Sequence, residues 1–507
     1  MNVLPFGDAA LLVEVDGLPA VLALAAAVRS KRPAGVLDVV PAARTVLLTV
    51  EPGTDLAELR RTVLDLPVDP ASVREGETVE IPVTYDGPDL AEVARLTGLD
   101  ESEVVAAHTG TPWRIAFGGF APGFAYLTGG DERLRVPRRD EPRTTVPTGA
   151  VGLAGEFSGV YPRPSPGGWQ LDRGPAVGPG PRPTRPARTR RLGAIRRGGD
   201  MNRAFEVLAV GPSALVQDLG RPGHGASGVG RSGAADRASL TLANRLVAND
   251  EGAAAVEVLL GGLAVRAMSL LTVALAGAPA QASVDGTLVG HHSIINLRPG
   301  AVLRLAAPPT GLRTYLAVRG GIDVAPVLGS RSTDTLSGIG PPPLQAGDVL
   351  PVGPEPIALP VIDVAPVRLP PGDTVVLRAV LGPRADFVTD PAELTGTTWT
   401  ASSRSDRIGM RLEGGKLRRV DDAEMPSEGM VRGAIQVPPG GEPVVFLADH
   451  PVTGGYPVVA TVCDADVDRA AQVRPGQGVR FVIVPAAWKD TSATVRRNSS
   501  ISTAESG

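Results

Sequence analysis

The sequence predicts a mainly β protein with a small α/β unit at its N-terminus. Three observations predict this fold class. The 507 residues are too many for one ordinary core. The 62 glycines and 49 prolines divide the chain into short segments, and phrases of a turn followed by a strand recur along it. We therefore expect several domains, most of them built from strands.

Residues 1–76 alternate strand-like and helix-like patterns, which predicts a small α/β domain. Helical periodicity covers 18–31 and 55–65. Apolar runs that predict strands cover 10–15, 36–40 and 45–50.

Residues 77–171 are expected to form a second domain. The phrase VEIPVTY, from Val79 to Tyr85, predicts a strand, and two short helices should follow over 89–96 and 101–108. Asp100 is a candidate N-cap with Glu103 three residues later, the spacing of a capping box. The strand WRIAF and the loop GGFAPGFAYL come next.

The segment 172–203 is predicted to be a disordered linker between two separately folding halves. Between Arg173 and Gly199 there are eight Arg, five Pro and six Gly with no acid and no aromatic residue, so nothing there can bury a core. A basic run of this kind could contact RNA or a membrane, but a solvated tether is the simpler interpretation.

The second half repeats one phrase, a glycine-centred turn followed by an alternating strand. It occurs as RPGAVLRL, QAGDVLPV, PPGDTVVLR and RPGQGVRF, and REGETVEIPV in the first half is related to it. Such reuse of one hairpin corner is typical of β-barrels. We expect two barrel domains, 204–355 and 356–486, followed by a disordered tail over 487–507.

Composition and missing motifs exclude several classes of protein. A formal charge of -4 disfavours nucleic acid as a partner. The single Cys463 excludes an internal disulfide and a cysteine-type zinc site. The N-terminus has no signal-peptide pattern, and the apolar stretch 259–279 is interrupted by Gly, Arg and Pro, so we expect a cytoplasmic protein without a membrane span. No P-loop, dinucleotide fingerprint, HExxH or GxSxG motif occurs, and the histidines predict no metal site.

Glycine-rich loops with polar side chains are the candidate binding elements. In GGFAPGFAYL, glycines such as Gly119 would let backbone N–H groups approach a ligand, with Tyr126 as a hydrogen-bonding group. A tight barrel corner with buried aromatic rings explains the same spacing and is the simpler interpretation.

The loop from Gln217 to Asp236 is the second candidate. It carries charged residues among glycines and precedes a predicted helix over 237–247, whose N-terminus could bind an anion. Asn244, within that helix, could be only a helix residue. The alternative interpretation is turn geometry with surface ion pairs.

Two later loops have the same character. RGGIDVAPVLGSRSTDTLSGIG carries Arg319, Arg331, Ser332 and Asp334, and LADHPVTGGYPVVATV carries Asp449, His450, Thr453 and Tyr456. Polar side chains flanked by glycines on barrel loops suit a pocket for a polar small molecule.

The longer phrases resemble a known pair of bacterial proteins. GGFAPGFAYL with VPRRDEPRTTVPTGAVGLAGEFSGVYPRPSPGGWQL resembles the B subunit of 5-oxoprolinase, the family also called allophanate hydrolase subunit 1 or sporulation-kinase inhibitor. QDLGRPGHGASGVGRSGAADRASLTLANRLV, SDRIGMRL, SEGMVRGAIQVPPGGEPVVFLADHPVTGGYP and QVRPGQGVRF resemble the C subunit, which is biotin-dependent carboxyltransferase-like. The resemblance covers about 1–171 and 204–486.

This resemblance implies a fold and an activity. It implies cyclophilin-like β-barrels for 77–171 and for both parts of the second half. It also implies the ATP-dependent opening of 5-oxo-L-proline to L-glutamate, carried out with a separate 5-oxoprolinase A subunit, with ATP as co-substrate together with Mg. No biotin-accepting phrase such as AMKM is present, so biotin is not expected on this chain. The resemblance leaves homo-oligomers open.

The implied chemistry assigns roles to the candidate residues. A site that activates a lactam needs cations for developing charge and a carboxylate to activate water. The candidate cations are Arg221, Arg231 and Arg331, and the candidate catalytic carboxylates are Asp218, Asp236, Asp334 and Asp449. Further candidates for binding substrate or ATP are Gly119, Tyr126, Asn244, Arg319 and Tyr456.

The resemblance is incomplete in the first half of the chain, and it leaves two other functions open. The first half lacks the last strand of its barrel, and a reading-frame disruption upstream of Met201 would explain the Arg/Pro/Gly-rich text. The same modules, in reverse order, form the carboxyltransferase region of urea carboxylase. Carboxyl transfer to a urea-like amide is therefore a second hypothesis, and non-catalytic regulation of a histidine kinase is a third.

Overall fold

The computed structural model describes residues 1–69, 76–173, 203–421 and 425–486. It is mainly β, with 33% strand and 15% helix, which confirms the predicted fold class. Most of the expected linker 172–203 and the whole expected tail 487–507 lie outside the described residues. Asp172 and Arg173, assigned to the linker by sequence, instead end a strand.

The N-terminal unit is a four-stranded antiparallel sheet with two helices. In chain order its elements are β1 Asn2–Pro5, β2 Ala10–Glu14, α1 Leu18–Lys31, β3 Val36–Pro41, β4 Thr45–Val50 and α2 Leu56–Leu64. The strand order is β1-β2-β4-β3. The predicted helices and strands are confirmed, and β1 is an element that the patterns missed. Because side chains alternate along a strand, Leu11 and Val13 pack in the core with the helices while Ala10 and Leu12 face the opposite side.

The second unit combines two helices with an open sheet. Its elements are α3 Leu90–Thr97, α4 Glu101–Gly110, β5 Arg114–Gly118, β6 Ala125–Thr128, β7 Arg143–Val146, β8 Val151–Ala154, β9 Phe157–Val160, β10 Ser165–Gly167 and β11 Gln170–Arg173. The main sheet has the order β11-β8-β9-β6-β5, and β7 pairs with β10. The capping box of Asp100 and Glu103 is present as predicted.

The strand predicted from VEIPVTY is wrong. Residues 79–85 have no strand hydrogen bonds in the structure, and the side chains of Val79 and Ile81 are 62% and 45% exposed. A strand exists only where a neighbouring strand shares its hydrogen bonds, and no described strand pairs with this segment. The strand-like pattern of this segment therefore does not become one of the described strands.

The third unit consists of two sheets packed around one core. Its elements are β12 Ala204–Val210, β13 Ser213–Gln217, α5 Arg237–Leu246, β14 Ala255–Leu259, β15 Leu263–Ala267, β16 Leu271–Gly277, β17 Ala282–Val284, β18 Thr287–Val289, β19 Ile294–Leu297, β20 Val302–Leu305, β21 Arg313–Val318 and β22 Val349–Pro351. The orders are β18-β17-β20-β15-β12-β22 and β13-β14-β21-β16-β19. The predicted helix over 237–247 is confirmed within one residue.

The fourth unit is a closed seven-stranded barrel. Its elements are β23 Val375–Leu381, α6 Glu393–Gly396, β24 Trp399–Ala401, β25 Gly409–Glu413, β26 Glu428–Gly429, β27 Ala434–Gln436, β28 Val444–Phe446, β29 Thr453–Gly454, β30 Val458–Val462, α7 Asp464–Ala470 and β31 Gly478–Ile483. The order is β23-β30-β27-β28-β25-β24-β31, and β23 closes the barrel by pairing in parallel with β31. Both closing strands follow the repeated turn phrase, as the sequence predicts.

The two halves of the chain pack against each other. The outer face of the N-terminal sheet, including Phe6 and Leu12, shares an apolar cluster with Met430, Phe446 and Val452 of the barrel. Apolar surface on both halves is buried by this contact, which favours a fixed arrangement of the two. The contact places loops of all four units close together.

Candidate functional site

The four glycine-rich loops predicted from the sequence meet in the structure. Gly118, at the end of β5, forms a parallel bridge with Ser227 of the loop 217–236. The backbone N–H of Phe120 donates to Thr453 Oγ1 at 2.9 Å, which joins the first loop to the last. A Cβ on Gly119 would lie 2.3 Å from the same Thr453 oxygen, so the close approach requires glycine there.

Asp449 joins the three loops of the second half. Its carboxylate accepts hydrogen bonds from Ser232 Oγ at 2.6 Å and from Thr335 Oγ1 at 2.7 Å. Arg407 pairs with it at 2.9 Å and also with Glu257. Burial alone would raise the pKa of Asp449, but Arg407 and these hydrogen bonds outweigh burial and lower it. Asp449 is therefore a buried carboxylate held in its ionised form.

A cavity of about 450 Å³ lies where the loops meet the N-terminal sheet. Three parts of the chain line it: the sheet of residues 1–53, the loop 217–236 with the start of α5, and the barrel between 430 and 468. Its charged and titratable lining residues are Asp8, Asp38, Arg231, Arg237, Arg432, His450, Asp464 and Asp468. A concave site between domains, with a few convergent polar groups, is the usual form of a small-molecule pocket.

The arginines of the cavity differ in their partners. Arg432 pairs with Asp464 at 3.1 Å and with Asp468, and Arg237 lies 3.6 Å from Asp464. Arg231 has no carboxylate within ion-pair distance among the described residues, and its Nε donates to the Leu219 carbonyl at 3.0 Å. Burial lowers the pKa of Arg231, an effect that nearby acids oppose only in part. Arg231 is thus the cavity arginine best placed to bind an anion.

The N-terminal sheet contributes directly to the cavity wall. Asp38 accepts hydrogen bonds from the N–H groups of Gly223 at 2.8 Å and Gly225 at 2.9 Å. Asp8 accepts one from Asp464 N–H at 3.0 Å. Burial raises the pKa of Asp38, and the two glycine N–H groups oppose that rise. The cavity therefore needs both halves of the chain.

The four predicted catalytic carboxylates do not line this cavity. Asp218 accepts from Ser330, Ser332 and two backbone N–H groups, and so connects the second and third loops. Asp334 accepts from the N–H groups of Leu336 and Ser337 within its own turn. Burial raises the pKa of Asp334. With Asp449 these side chains organise the loops behind the cavity.

Asp236 is the N-cap of α5, and this corrects the expectation of an anion site there. Its oxygens accept from Ser239 N–H at 2.9 Å and Gln472 Nε2 at 2.7 Å. The N–H groups of Arg237 and Ala238 already donate to Asp468, at 2.9 and 3.1 Å. The helix N-terminus is therefore occupied by a carboxylate of the protein itself.

Replacing Asp236 by alanine should lower the free energy of unfolding by about 1–3 kcal/mol, because a helix cap and a buried hydrogen-bond acceptor are both lost. Urea denaturation measures this change. D236N should recover part of the loss, since Asn is a good N-cap. An alanine variant as stable as the wild type would contradict this role.

The predicted binding residues are dispersed. Arg221 is fully buried beneath the loops, where it donates to the Ser332 carbonyl, and its Nε and Nη1 lack partners within the described residues. Burial lowers its pKa although Asp334, Asp218 and Asp449 oppose this. The alternative of surface ion pairs is therefore wrong for Arg221 and Asp218, which are buried.

The remaining predicted binding residues lie away from the cavity lining. Asn244 donates to the Glu251 and Ala253 carbonyls, and Arg319 donates to the carbonyls of Val247, Pro356 and Ala358. Arg331 pairs with Asp323 at the surface, and Tyr456 is 42% exposed. Tyr126 stacks on Phe117 in the aromatic core of the second unit, as the barrel-corner interpretation expects.

Sequence reasoning missed several charged residues at and behind this site. Arg407 and Arg432 lie in the phrases SDRIGMRL and SEGMVRGAIQV, and Glu257 lies in β14. One signal was available: Arg432 and Glu257 stand within otherwise apolar runs, and a charged residue in such a run is buried only when it is paired.

His450 has a fixed tautomer and a low basicity. Its Nδ1 lies 2.8 Å from the Pro451 carbonyl, so this nitrogen carries the proton and donates. Burial lowers its pKa to about 4, against the small opposing effect of that hydrogen bond. The ring is therefore neutral at pH 7, with Nε2 unprotonated.

The low pKa of His450 predicts a loss of stability on mild acidification. The unfolded chain binds a proton near pH 6.5 and the folded chain only near pH 4, so the free energy of unfolding should fall as pH decreases through that window. From pH 7 to pH 5 the loss from this residue is about 2 kcal/mol. Urea denaturation across this range should show a smaller fall in H450Q. His291, whose pKa burial also lowers to about 4, should contribute similarly. An unchanged slope in H450Q would contradict the assignment.

The described residues contain neither a metal-type cluster nor a membrane-length helix. Within them, no group of three or more His, Cys, Asp or Glu side chains is arranged to hold a metal ion. No helix in the same ranges has the length and apolar composition needed to cross a bilayer. Cys463 is a buried free thiol whose pKa burial raises to about 11.

Comparison with known proteins finds a matching family for each half of the chain. The family described as "Carboxyltransferase domain, subdomain C and D" matches residues 1–171, and "Carboxyltransferase domain, subdomain A and B" matches residues 227–483. The crystal structure of TTHA0988 superposes with a TM-score of 0.82 at 35% identity and covers 93% of this chain and 99% of its own.

Three curated relatives match separate parts of the chain. The 5-oxoprolinase C subunit of Escherichia coli (strain K12) is 39% identical over 285 residues, 55% of this chain and 90% of the relative. Urea amidolyase of Saccharomyces cerevisiae is 33% identical over 306 residues, 55% of this chain and 16% of the relative. The 5-oxoprolinase B subunit of Escherichia coli O157:H7 is 51% identical over 100 residues, 19% of this chain and 46% of the relative, so the chain matches less than half of that relative. These matches confirm the resemblance to fused B and C subunits, and the chain belongs to the carboxyltransferase-domain family.

Proposed function

We propose that this protein is the fused B/C component of an ATP-dependent 5-oxoprolinase, which converts 5-oxo-L-proline to L-glutamate together with a separate A subunit. The observation that carries the proposal is the cavity lined by both halves, whose relatives are named as the B and C subunits of that enzyme. The single cysteine and the need for ATP support a cytoplasmic location.

The chemistry defines what the cavity must supply. A lactam is stabilised by resonance, and transfer of phosphate from ATP to its carbonyl oxygen would activate it for attack by water. Negative charge then develops on oxygen, and fixed cations lower the energy of that state. Arg231 reaches the cavity without an internal carboxylate partner among the described residues, and Arg237 and Arg432 stand beside it.

In this proposal the four buried aspartates act indirectly, because none of them lines the cavity. They are Asp218, Asp236, Asp334 and Asp449. Asp449 and Asp218 hold the loops that carry Arg231, so they position the binding group. ATP would bind as its Mg complex, in which the metal is held largely by phosphate oxygens and water.

The decisive experiment measures glutamate released from 5-oxo-L-proline and ATP. The purified chain alone should show little or no turnover, and addition of the cognate A subunit should produce robust release, because the proposal divides the site between the two proteins. Omission of ATP is the control. Robust turnover by the chain alone would contradict the division, and no turnover with both proteins present would contradict the proposed reaction.

A second candidate function is carboxyl transfer from carboxybiotin to a urea-like amide. The similarity of 55% of this chain to urea amidolyase favours it. It predicts carboxylation of urea or a related amide when biotin carboxylase and a biotinylated carrier are supplied, in the absence of the 5-oxoprolinase A subunit. Glutamate formation without biotin carboxylase and the carrier separates the two candidates.

A further inference from the structure

We infer that the cavity selects a small carboxylic acid that bears an amide N–H, with Arg231 binding the carboxylate and His450 Nε2 accepting the N–H. The inference rests on the proposed function for the identity of the ligand, and it assigns to His450 a recognition role. Both residues line the same cavity and come from different loops, one before α5 and one after β28.

The direction of the hydrogen bond at His450 follows from its surroundings. Nδ1 donates to the Pro451 carbonyl at 2.8 Å, which leaves Nε2 as the nitrogen with a free lone pair. Nε2 has no hydrogen-bond partner in the described part of the chain. An unprotonated imidazole nitrogen can only accept a hydrogen bond. It therefore matches a ligand N–H and does not match a ligand carbonyl or carboxylate.

Neighbouring charges keep the imidazole neutral. Burial is the largest effect that opposes a positive charge on the ring, and Arg237 and Arg432 act in the same direction. The acidic groups nearest to these arginines, Asp464 and Asp468, are occupied by ion pairs. A neutral acceptor therefore persists at physiological pH.

Arg231 supplies the second recognition point. Its Nε is used by the Leu219 carbonyl, and its terminal nitrogens Nη1 and Nη2 make no hydrogen bond within the described residues. A guanidinium presents two parallel N–H donors, which match the two oxygens of a carboxylate. The other two cavity arginines are already paired with Asp464 or Asp468.

Together the two residues predict a pattern of selectivity. A ligand alkylated on the amide nitrogen leaves Nε2 without a partner and adds a clash, so it should bind more weakly by about 10-fold or more. A ligand without the carboxylate leaves Arg231 unpaired and should also bind weakly. The cavity of about 450 Å³ is larger than a five-membered lactam requires, which leaves room for a co-substrate.

The test is a binding experiment on the full chain, without ATP and without the A subunit. Isothermal titration compares 5-oxo-L-proline, its N-methyl derivative and 2-pyrrolidinone, which lacks the carboxylate. The wild type should prefer 5-oxo-L-proline over both. His450→Met should remove the preference over the N-methyl compound, while His450→Gln, whose amide oxygen can accept near the position of Nε2, should keep it.

Arg231→Met should remove the preference over 2-pyrrolidinone but keep the preference over the N-methyl compound, and it tests the inference if His450→Met does not fold. The inference is overturned if the wild type binds none of the compounds, or if His450→Met still rejects the N-methyl derivative. Selective binding combined with no glutamate release by the complete assembly would instead reject the proposed function and leave the pocket assignment intact. Glutamate release by the complete assembly, combined with a pocket that does not distinguish the three compounds, would reject the pocket assignment and leave the proposed function intact.

Discussion

Replacing Arg407 by methionine should lower the free energy of unfolding by about 3–5 kcal/mol, because buried Asp449 loses its counter-ion and buried Glu257 keeps only Arg313, at 3.4 Å. Arg407 pairs with Glu257 of the third unit and Asp449 of the fourth, and all three side chains are buried. Burial acts to lower the pKa of Arg407, but the two carboxylates together outweigh burial and hold that pKa above its ordinary value. Urea denaturation at pH 7 gives the measurement.

The matched control is Arg404→Met. Arg404 lies three residues earlier and pairs with Glu413 at 3.3 Å, but its side chain is 61% exposed. An exposed pair contributes about 0–1 kcal/mol. Equal effects of the two substitutions would show that the buried network does not join the two units.

Replacing Arg231 by methionine should lower kcat/KM of the complete assembly on the order of 100-fold, since the variant loses the charged, forked pair with the substrate carboxylate in a confined site. The free energy of unfolding should fall by only about 1 kcal/mol, because the side chain loses one hydrogen bond, to the Leu219 carbonyl. Turnover and urea denaturation are measured on the same preparations.

Two variants accompany Arg231→Met. Arg231→Lys keeps the charge but loses the forked geometry, and it should recover only part of the activity. Arg245→Met changes an exposed arginine of α5 that pairs with Glu251, and this variant should leave kcat/KM unchanged. Wild-type turnover in Arg231→Met would remove this residue from the site.

The sequence predicted the fold well where the pattern is local. Helices α1 to α5 and the capping box at Asp100 depend on side-chain periodicity and neighbours a few residues away. VEIPVTY failed because strand formation depends on a partner elsewhere in the chain, which the pattern of seven residues does not contain. The short strand β1 was missed because its four residues show no alternation long enough to detect.

The site was predicted in its loops but not in its side chains. Glycine-rich composition correctly pointed to the loops around Gly119, Asp218, Asp334 and Asp449, which meet in the structure. Composition could not show which polar groups point into the cavity, because the aspartates satisfy the loops' own hydrogen bonds. Asp468 occupies the helix N-terminus from 230 residues away, a distance that no local pattern can span.

The composite wall of the cavity has a consequence for assembly. In relatives named as separate B and C subunits, formation of such a wall would require two chains to associate and would weaken on dilution. Here both contributors belong to one polypeptide, so the contact is intramolecular, and covalent linkage of this kind gives an effective concentration of about millimolar. The cavity should therefore form to the same extent at any protein concentration. Each chain supplies both parts of the wall in equal number.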